Sequence, residues 1–364
     1  MVDSLVSAGQ RPERIPTTIT NSNGALVAAA LSGSWRQTPP AFRLNASQLE
    51  QVAPLLLGSG ASALGWWSVR QSSLNSTPPA LALQQAYRLL TIEDALHERK
   101  IKKAIGLVRS CGIEPLLVKG WAVARLYPER ALRPYGDIDL CVRPQEFRAA
   151  EEVLKSDEAK DCWVDLHDRF SELSDRSLDD LYARAQLVQL DDIEVRVPGP
   201  EDHLALLAIH WLKHGAWRPL GLCDIGMAVE SRPKNFDWGI CLGNNPRRAK
   251  WVTSTIALAH QLLGAQMPEE LAERQVDELP RWLAPAVLKE WETPYASEQA
   301  PMKHPQAMRK YLRNPHGLWK GLRERWPNPI KATIDMDWPL NEMPRWPFQI
   351  GYCISRFKQF LTNF

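Results

Sequence analysis

Between residues 79 and 111 apolar side chains recur at three- and four-residue steps among charges, with Leu83, Leu90, Ile101, Ile105 and Val108 in the series. That period predicts one long amphipathic helix or two. The pattern breaks at Gly112, and Ile113 to Val118 forms a short apolar run closed by Lys119-Gly120, as a buried strand would. Trp121 to Tyr127 reads as a helix, and Asp137 to Val142 alternates acidic and apolar residues, the period-two signature of a half-buried strand. Cys162 to Leu166 and Ile193 to Val197 are further strand candidates. Beyond Pro198 the helical period returns: Pro200-Glu201-Asp202 opens a helix that runs to His214 and stops at Gly215, and another is expected over about 248–264. Before the long helix, Leu49, Val52, Leu55, Leu56 and Leu57 predict a short one, followed by a Gly/Ser break and the bulky Trp66 and Trp67.

These elements divide the chain into four stretches. Residues 1–45, rich in Ser, Thr, Gly, Asn and Pro, are expected to be a partly ordered arm. A helical region over 46–90 precedes an α+β core over 91–200, and a helical C-terminal region spans 201–364. No internal repeat is visible.

Composition narrows the classes. With 45% hydrophobic and 24% charged residues the chain reads as globular, and its net charge of +2 argues for no nucleic-acid or membrane partner by itself. From residue 301 onward Lys and Arg number 11 against 4 Asp and Glu, a local basic excess punctuated by Trp319, Trp326, Trp338 and Trp346. The six cysteines form neither a C-x-x-C pair nor a dense scaffold, so they are read as reduced thiols. The acidic and basic residues near the N-terminus leave no signal-like or spanning run, and a cytoplasmic location is expected.

The chemistry concentrates between residues 117 and 140. Side chains two apart on a strand lie roughly 6–7 Å apart on one face, so Asp137 and Asp139 project together while Ile138 and Leu140 face the core. Two like charges in one place call for a cation, and magnesium shared with triphosphate oxygens is the usual one. Gly120, at a strand-to-helix junction, lets backbone approach a phosphate, with Lys119 and Arg133 adding positive charge.

The stretch from about residue 80 to 225 resembles the nucleotidyltransferases of the DNA polymerase β superfamily. It is especially similar to a bacterial family of uncharacterised nucleotidyltransferases. The residues that carry the likeness are Val118-Lys119-Gly120, Tyr127-Pro128, Arg133 through Leu140, Asp165-Leu166-His167, and Pro198 to His203 followed by His210 and His214. The resemblance implies a polymerase β-like mixed sheet with flanking helices, magnesium held by Asp137 and Asp139, and a third carboxylate on a neighbouring strand that bridges to the metal or deprotonates the acceptor. Asp165 fits that third place by motif, and Glu194 competes. Lys119, Gly120 and Arg133 are then the nucleotide-binding residues. The implied reaction moves a nucleoside monophosphate from a triphosphate to a hydroxyl on a small molecule, a protein or an RNA end, releasing pyrophosphate. Trp121 departs from the serine or second glycine that many superfamily members place after the glycine.

Two other readings compete. A protein of the same fold that binds nucleotide without turnover is one; an RNA-modifying nucleotidyltransferase using the basic Trp-rich tail is the other. The four-residue spacing of His210 and His214, with Asp224 downstream, is compatible with a zinc site, but Trp211 stands where a metalloprotease has its glutamate, and packing or acceptor binding is the expected role of these histidines. The stretch from Ile350 to Leu361 reads as a basic amphipathic helix that either docks on the protein or lies on a membrane.

Overall fold

The computed structural model describes residues 22–272, 279–294 and 326–362. Four helices come first: α1 (Asn23–Leu31), α2 (Ala46–Gly58), α3 (Ser62–Val69) and α4 (Pro78–Ser110). The Asn45 side chain and Gln48 close a capping box on α2, satisfying two backbone donors that would otherwise lack partners. A single 33-residue helix resolves the choice between one helix and two, and it starts with proline at its first position, where the missing N–H costs nothing.

Strand β1 (Leu116–Val118) leads through the short α5 (Gly120–Ala124) to β2 (Ile138–Cys141). Next come α6 (Phe147–Leu154), β3 (Val164–His167), α7 (Leu178–Arg184), β4 (Gln186–Leu190) and β5 (Ile193–Val197). The five strands form one mixed sheet in the order β3-β2-β1-β5-β4, with β1–β2 and β4–β5 antiparallel and β2–β3 and β1–β5 parallel. Four strands coincide with sequence expectations to within three residues at either end. The fifth, β4, was not anticipated, because exposed Gln186, Leu187 and Gln189 give it no apolar alternation.

Among the described residues the remaining helices are α8 (Pro200–Lys213), α9 (Pro219–Glu230), α10 (Trp238–Leu242), α11 (Pro246–Leu263), α12 (Glu269–Ala272), α13 (Leu283–Glu290), α14 (Pro329–Asp335) and α15 (Trp346–Thr362). Helix α8 ends as the sequence indicates, with Gly215 at φ +73° in the left-handed region that glycine adopts without steric cost.

The sheet separates two apolar layers. On one face Ile101, Ile105 and Val108 of α4 pack against Leu117, Ile138, Leu140, Val195 and Val197. On the other, Leu116, Val118 and Cys141 join a larger cluster built mainly from helices, including Leu204, Leu207 and Trp211 of α8. The alternation of Leu116, Leu117 and Val118 between the two layers is the strand period made visible.

The partly ordered arm expected over 1–45 contains one short apolar stretch around Leu26 to Leu31, and the described part of the arm is built on it. Residues Asn23–Leu31 form a helix whose Leu26, Val27, Ala30 and Leu31 are buried in the larger cluster, and Trp35 is buried with its indole donating to Glu230 at 3.0 Å. A stretch made largely of alanine offers little amphipathic contrast, and only tertiary burial makes it a core element. Residues 1–21, and residues 301–325 with Trp319 of the basic tail, lie outside the described residues.

Candidate functional site

A cleft of about 400 Å³ opens between the sheet face of β2 and β3 and the helical wall of α8 and α9. All six residues singled out from the sequence line it: Lys119, Gly120, Arg133, Asp137, Asp139 and Asp165. His210, Trp211, His214, Trp217, Arg218 and Asp224 line the opposite side.

Strand register, rather than spacing along one strand, brings the acids together. Asp139 of β2 is the direct partner of Asp165 on the parallel β3, so their backbones are one inter-strand spacing apart, about 4.8 Å. Cys141 pairs with His167 two positions on. The ligand atoms of Asp139, Asp165 and His167 all lie within 4.8 Å of one another. Asp137 precedes β2, is exposed, and lines the same cleft without belonging to that tight group.

Asp139 is the buried member, with 5% of its surface exposed. Lys119 Nζ donates to its Oδ1 at 2.5 Å, and His167 Nε2 lies 3.1 Å from the same oxygen and 3.3 Å from Asp165 Oδ2. Burial pushes the Asp139 carboxyl up, but the His167 hydrogen bond and the Lys119 charge outweigh it and hold the group below the ordinary carboxylate range. Asp139 Oδ2 takes no hydrogen bond from the described residues, which leaves that oxygen to the cleft.

The β1–α5 turn positions Lys119. Its backbone sits at φ +51°, a conformation that L side chains rarely adopt and that costs on the order of 1–3 kcal/mol. The strain places a lysine ammonium against Asp139. Gly120 follows it, and a Cβ there would meet Asp137 O and the Tyr135 ring no closer than 3.6 Å, ordinary contact. Protein packing therefore does not demand glycine at this buried position. Helix α5 spans only five residues, so it brings little dipole to the cleft, and the expected helix-end contribution to phosphate binding is correspondingly small.

Arg133 is already engaged. Its guanidinium meets Asp224 of α9 at 3.0–3.3 Å through Nε and Nη2, and the Tyr127 hydroxyl donates to the same carboxylate at 2.8 Å. This buried triad ties the loop before β2 to the helical wall. It also occupies the carboxylate that a zinc site with His210 and His214 would need. Those two imidazoles lie tilted at 52° with ring centroids 4.4 Å apart on the cleft wall, and His210 Nδ1 lies 3.4 Å from Glu172. Among the described residues they join no metal-binding group.

Glu194, the rival third carboxylate, is exposed on β5, two strands away from β2, and does not line the cleft. Trp121 turns away from the cleft: it is buried in the α4-side layer and donates to Glu98 at 2.9 Å. Cys141 and Cys162 are buried among apolar side chains, as small core residues. His167 is the residue whose place sequence reasoning missed. The signal was present, because Asp165 and His167 share one face of a strand by the same two-residue step that relates Asp137 to Asp139.

A family model described as uncharacterised nucleotidyltransferase matches residues 50–264, more than half of the chain. No curated protein and no solved structure matches it. The matched span contains the sheet, every residue named on the cleft, and α8 and α9.

Proposed function

The chain belongs to the uncharacterised nucleotidyltransferase family, and from that premise we propose that its cleft moves a nucleoside monophosphate from a nucleoside triphosphate to an acceptor hydroxyl, on a polymerase β-like sheet. The observation that carries the reading is the pairing of Asp139 with Asp165 across β2 and β3 on a cleft that also holds Gly120 and Asp137.

The acidic donors fit a divalent cation of the magnesium type. Asp139 and Asp165 offer hard carboxylate oxygens within 4.8 Å of each other, with Asp137 near for an ion arriving with the triphosphate. A magnesium ion held there supplies Lewis-acid neutralisation of the charge on the transferring phosphoryl group. The imidazole nitrogen is a poorer partner for magnesium, so His167 is assigned to orient the two carboxylates. In the transfer the acceptor oxygen bonds to the α-phosphorus, the bond from that phosphorus to the bridging oxygen breaks, and pyrophosphate leaves. Asp165, the more exposed carboxylate, takes the proton lost by the acceptor. Gly120 lines the cleft with backbone alone, and Arg133 holds the loop that carries Asp137 against α9.

One observation favours a second reading, a protein that binds nucleotide without turnover: Lys119 already neutralises Asp139. Turnover decides between them. Incubation with each α-labelled triphosphate and a cell lysate should label an acceptor and release pyrophosphate, and Asp139→Asn should abolish both. Triphosphate binding with no transfer under any of these conditions supports the second reading, and no binding at all rejects both. An RNA acceptor predicts that removing the segment from residue 301 onward abolishes a salt-sensitive retention of tRNA.

A further inference from the structure

Three cationic side chains line the cleft: Lys119, Arg133 and Arg218. Two of them are committed. Lys119 is bound to Asp139 at 2.5 Å, and Arg133 is bound to Asp224 at 3.0 Å. The side chain of Arg218 makes no hydrogen bond or ion pair with the described residues.

The residue is exposed, and two contacts bear on where it sits. The Arg218 guanidinium stacks over the Trp217 ring, 4.7 Å from the centroid. A cation–π contact is not a hydrogen bond and leaves the five N–H donors of the guanidinium unspent. The backbone is pinned as well: Trp211 Nε1 of α8 donates to the Arg218 carbonyl at 2.8 Å. That bond requires close packing of α8 on α9, which Gly221 permits, since a Cβ there would come within 2.3 Å of Trp211 Cδ1. The charges that act on Arg218 are those of Arg133, Asp137 and Asp224, all on the cleft. Arg218 is therefore a fork on the wall opposite the acidic floor, with no donor spent on the described residues.

A triphosphate brings several negative charges into a cleft whose other two cations are paired with carboxylates. We propose that Arg218, stacked on Trp217, is the residue that takes the polyphosphate of the bound nucleotide. This deepens the nucleotidyl-transfer reading and rests on it. An anionic group on the acceptor would present the same chemistry to the guanidinium, so the test separates the two sources.

The full chain is titrated calorimetrically in the presence of magnesium with inorganic tripolyphosphate and with a nonhydrolysable nucleoside triphosphate. Arg218→Gln should weaken both by about 10- to 100-fold, the loss expected for a charge-assisted bidentate contact. Arg218→Lys, which keeps the charge without the fork, should recover part of it. An unchanged chemical-denaturation midpoint shows that the variants fold. Equal affinity of the wild-type protein and Arg218→Gln for both probes overturns the assignment. So does normal nucleotide binding by Arg218→Gln combined with a raised acceptor KM, which moves the contact to the acceptor. A wild-type protein that binds neither probe rejects the nucleotidyl-transfer reading itself, a result distinct from either of these.

Discussion

Asp139 and Asp202 are both buried carboxylates contacted by two basic side chains each, yet they do different things in the molecule. Asp202, in the first turn of α8, is fully buried, and Arg176 and Arg184 donate to both of its oxygens. It does not line the cleft between the sheet and α8–α9, and its charge is spent inside the protein. Asp139 receives Lys119 and His167 on a single oxygen and keeps the other on a cleft. A buried charge becomes available for chemistry when its compensation is incomplete on the side that a ligand can reach. Saturated compensation makes the same residue type a structural bolt.

The largest effect should come from the open carboxylate. Asp139→Asn is expected to lower nucleotidyl transfer by about a thousandfold in a labelled-triphosphate assay, while its denaturant midpoint moves far less than that of the next variant. Asp202→Asn should reverse the pattern. It leaves two guanidinium groups short of their partner and costs about 3–5 kcal/mol of stability by chemical denaturation, while activity per folded molecule stays within about twofold. If Asp139→Asn destabilises as much as Asp202→Asn and spares activity, the distinction between the two sites fails.

Glu172 sharpens the comparison through pH. Burial pushes this carboxyl up, but the His210 hydrogen bond and the Lys213 charge outweigh burial and bring it down to about 2. An acid whose folded pKa is depressed contributes stability above its ordinary value, and that stability fades as pH falls toward the folded value. The contribution, on the order of 3 kcal/mol, should therefore be lost between about pH 5 and pH 2. Denaturation series over that range should show a shallower acid dependence in Glu172→Gln than in the wild-type protein. Equal slopes would remove Glu172 from the acid response.

The smallest effect belongs to Glu194. Exposed on β5 and away from the cleft, it predicts that Glu194→Gln changes stability by less than about 0.5 kcal/mol and leaves transfer intact. Asp165→Asn should impair transfer strongly. Equal losses for the two variants would return the choice of third carboxylate to an open question.

Local pattern made much of the molecule legible. The long α4, the strands around Leu117, Ile138 and Val195, and the opening and closing of α8 are written in periodicity, proline and glycine, because those signals act between near neighbours in the chain. The Ala-rich α1 and the polar β4 carried no such period, and their burial or pairing comes from distant partners. At the site, the sequence by itself brought forward Asp137, Asp139, Asp165, Lys119, Gly120 and Arg133, and all of them line one cleft.

What each of those residues contacts was decided only by the tertiary structure. Parallel register across β2 and β3 selected Asp139, Asp165 and His167 as the close group. Helix packing 91 residues downstream spent Arg133 on Asp224, and the same wall left Arg218 with its donors free. The physical reason is that charge compensation is a property of three-dimensional neighbours. A motif specifies which side chains are present, and strand register with helix docking specifies which of them still have a charge or a lone pair to offer.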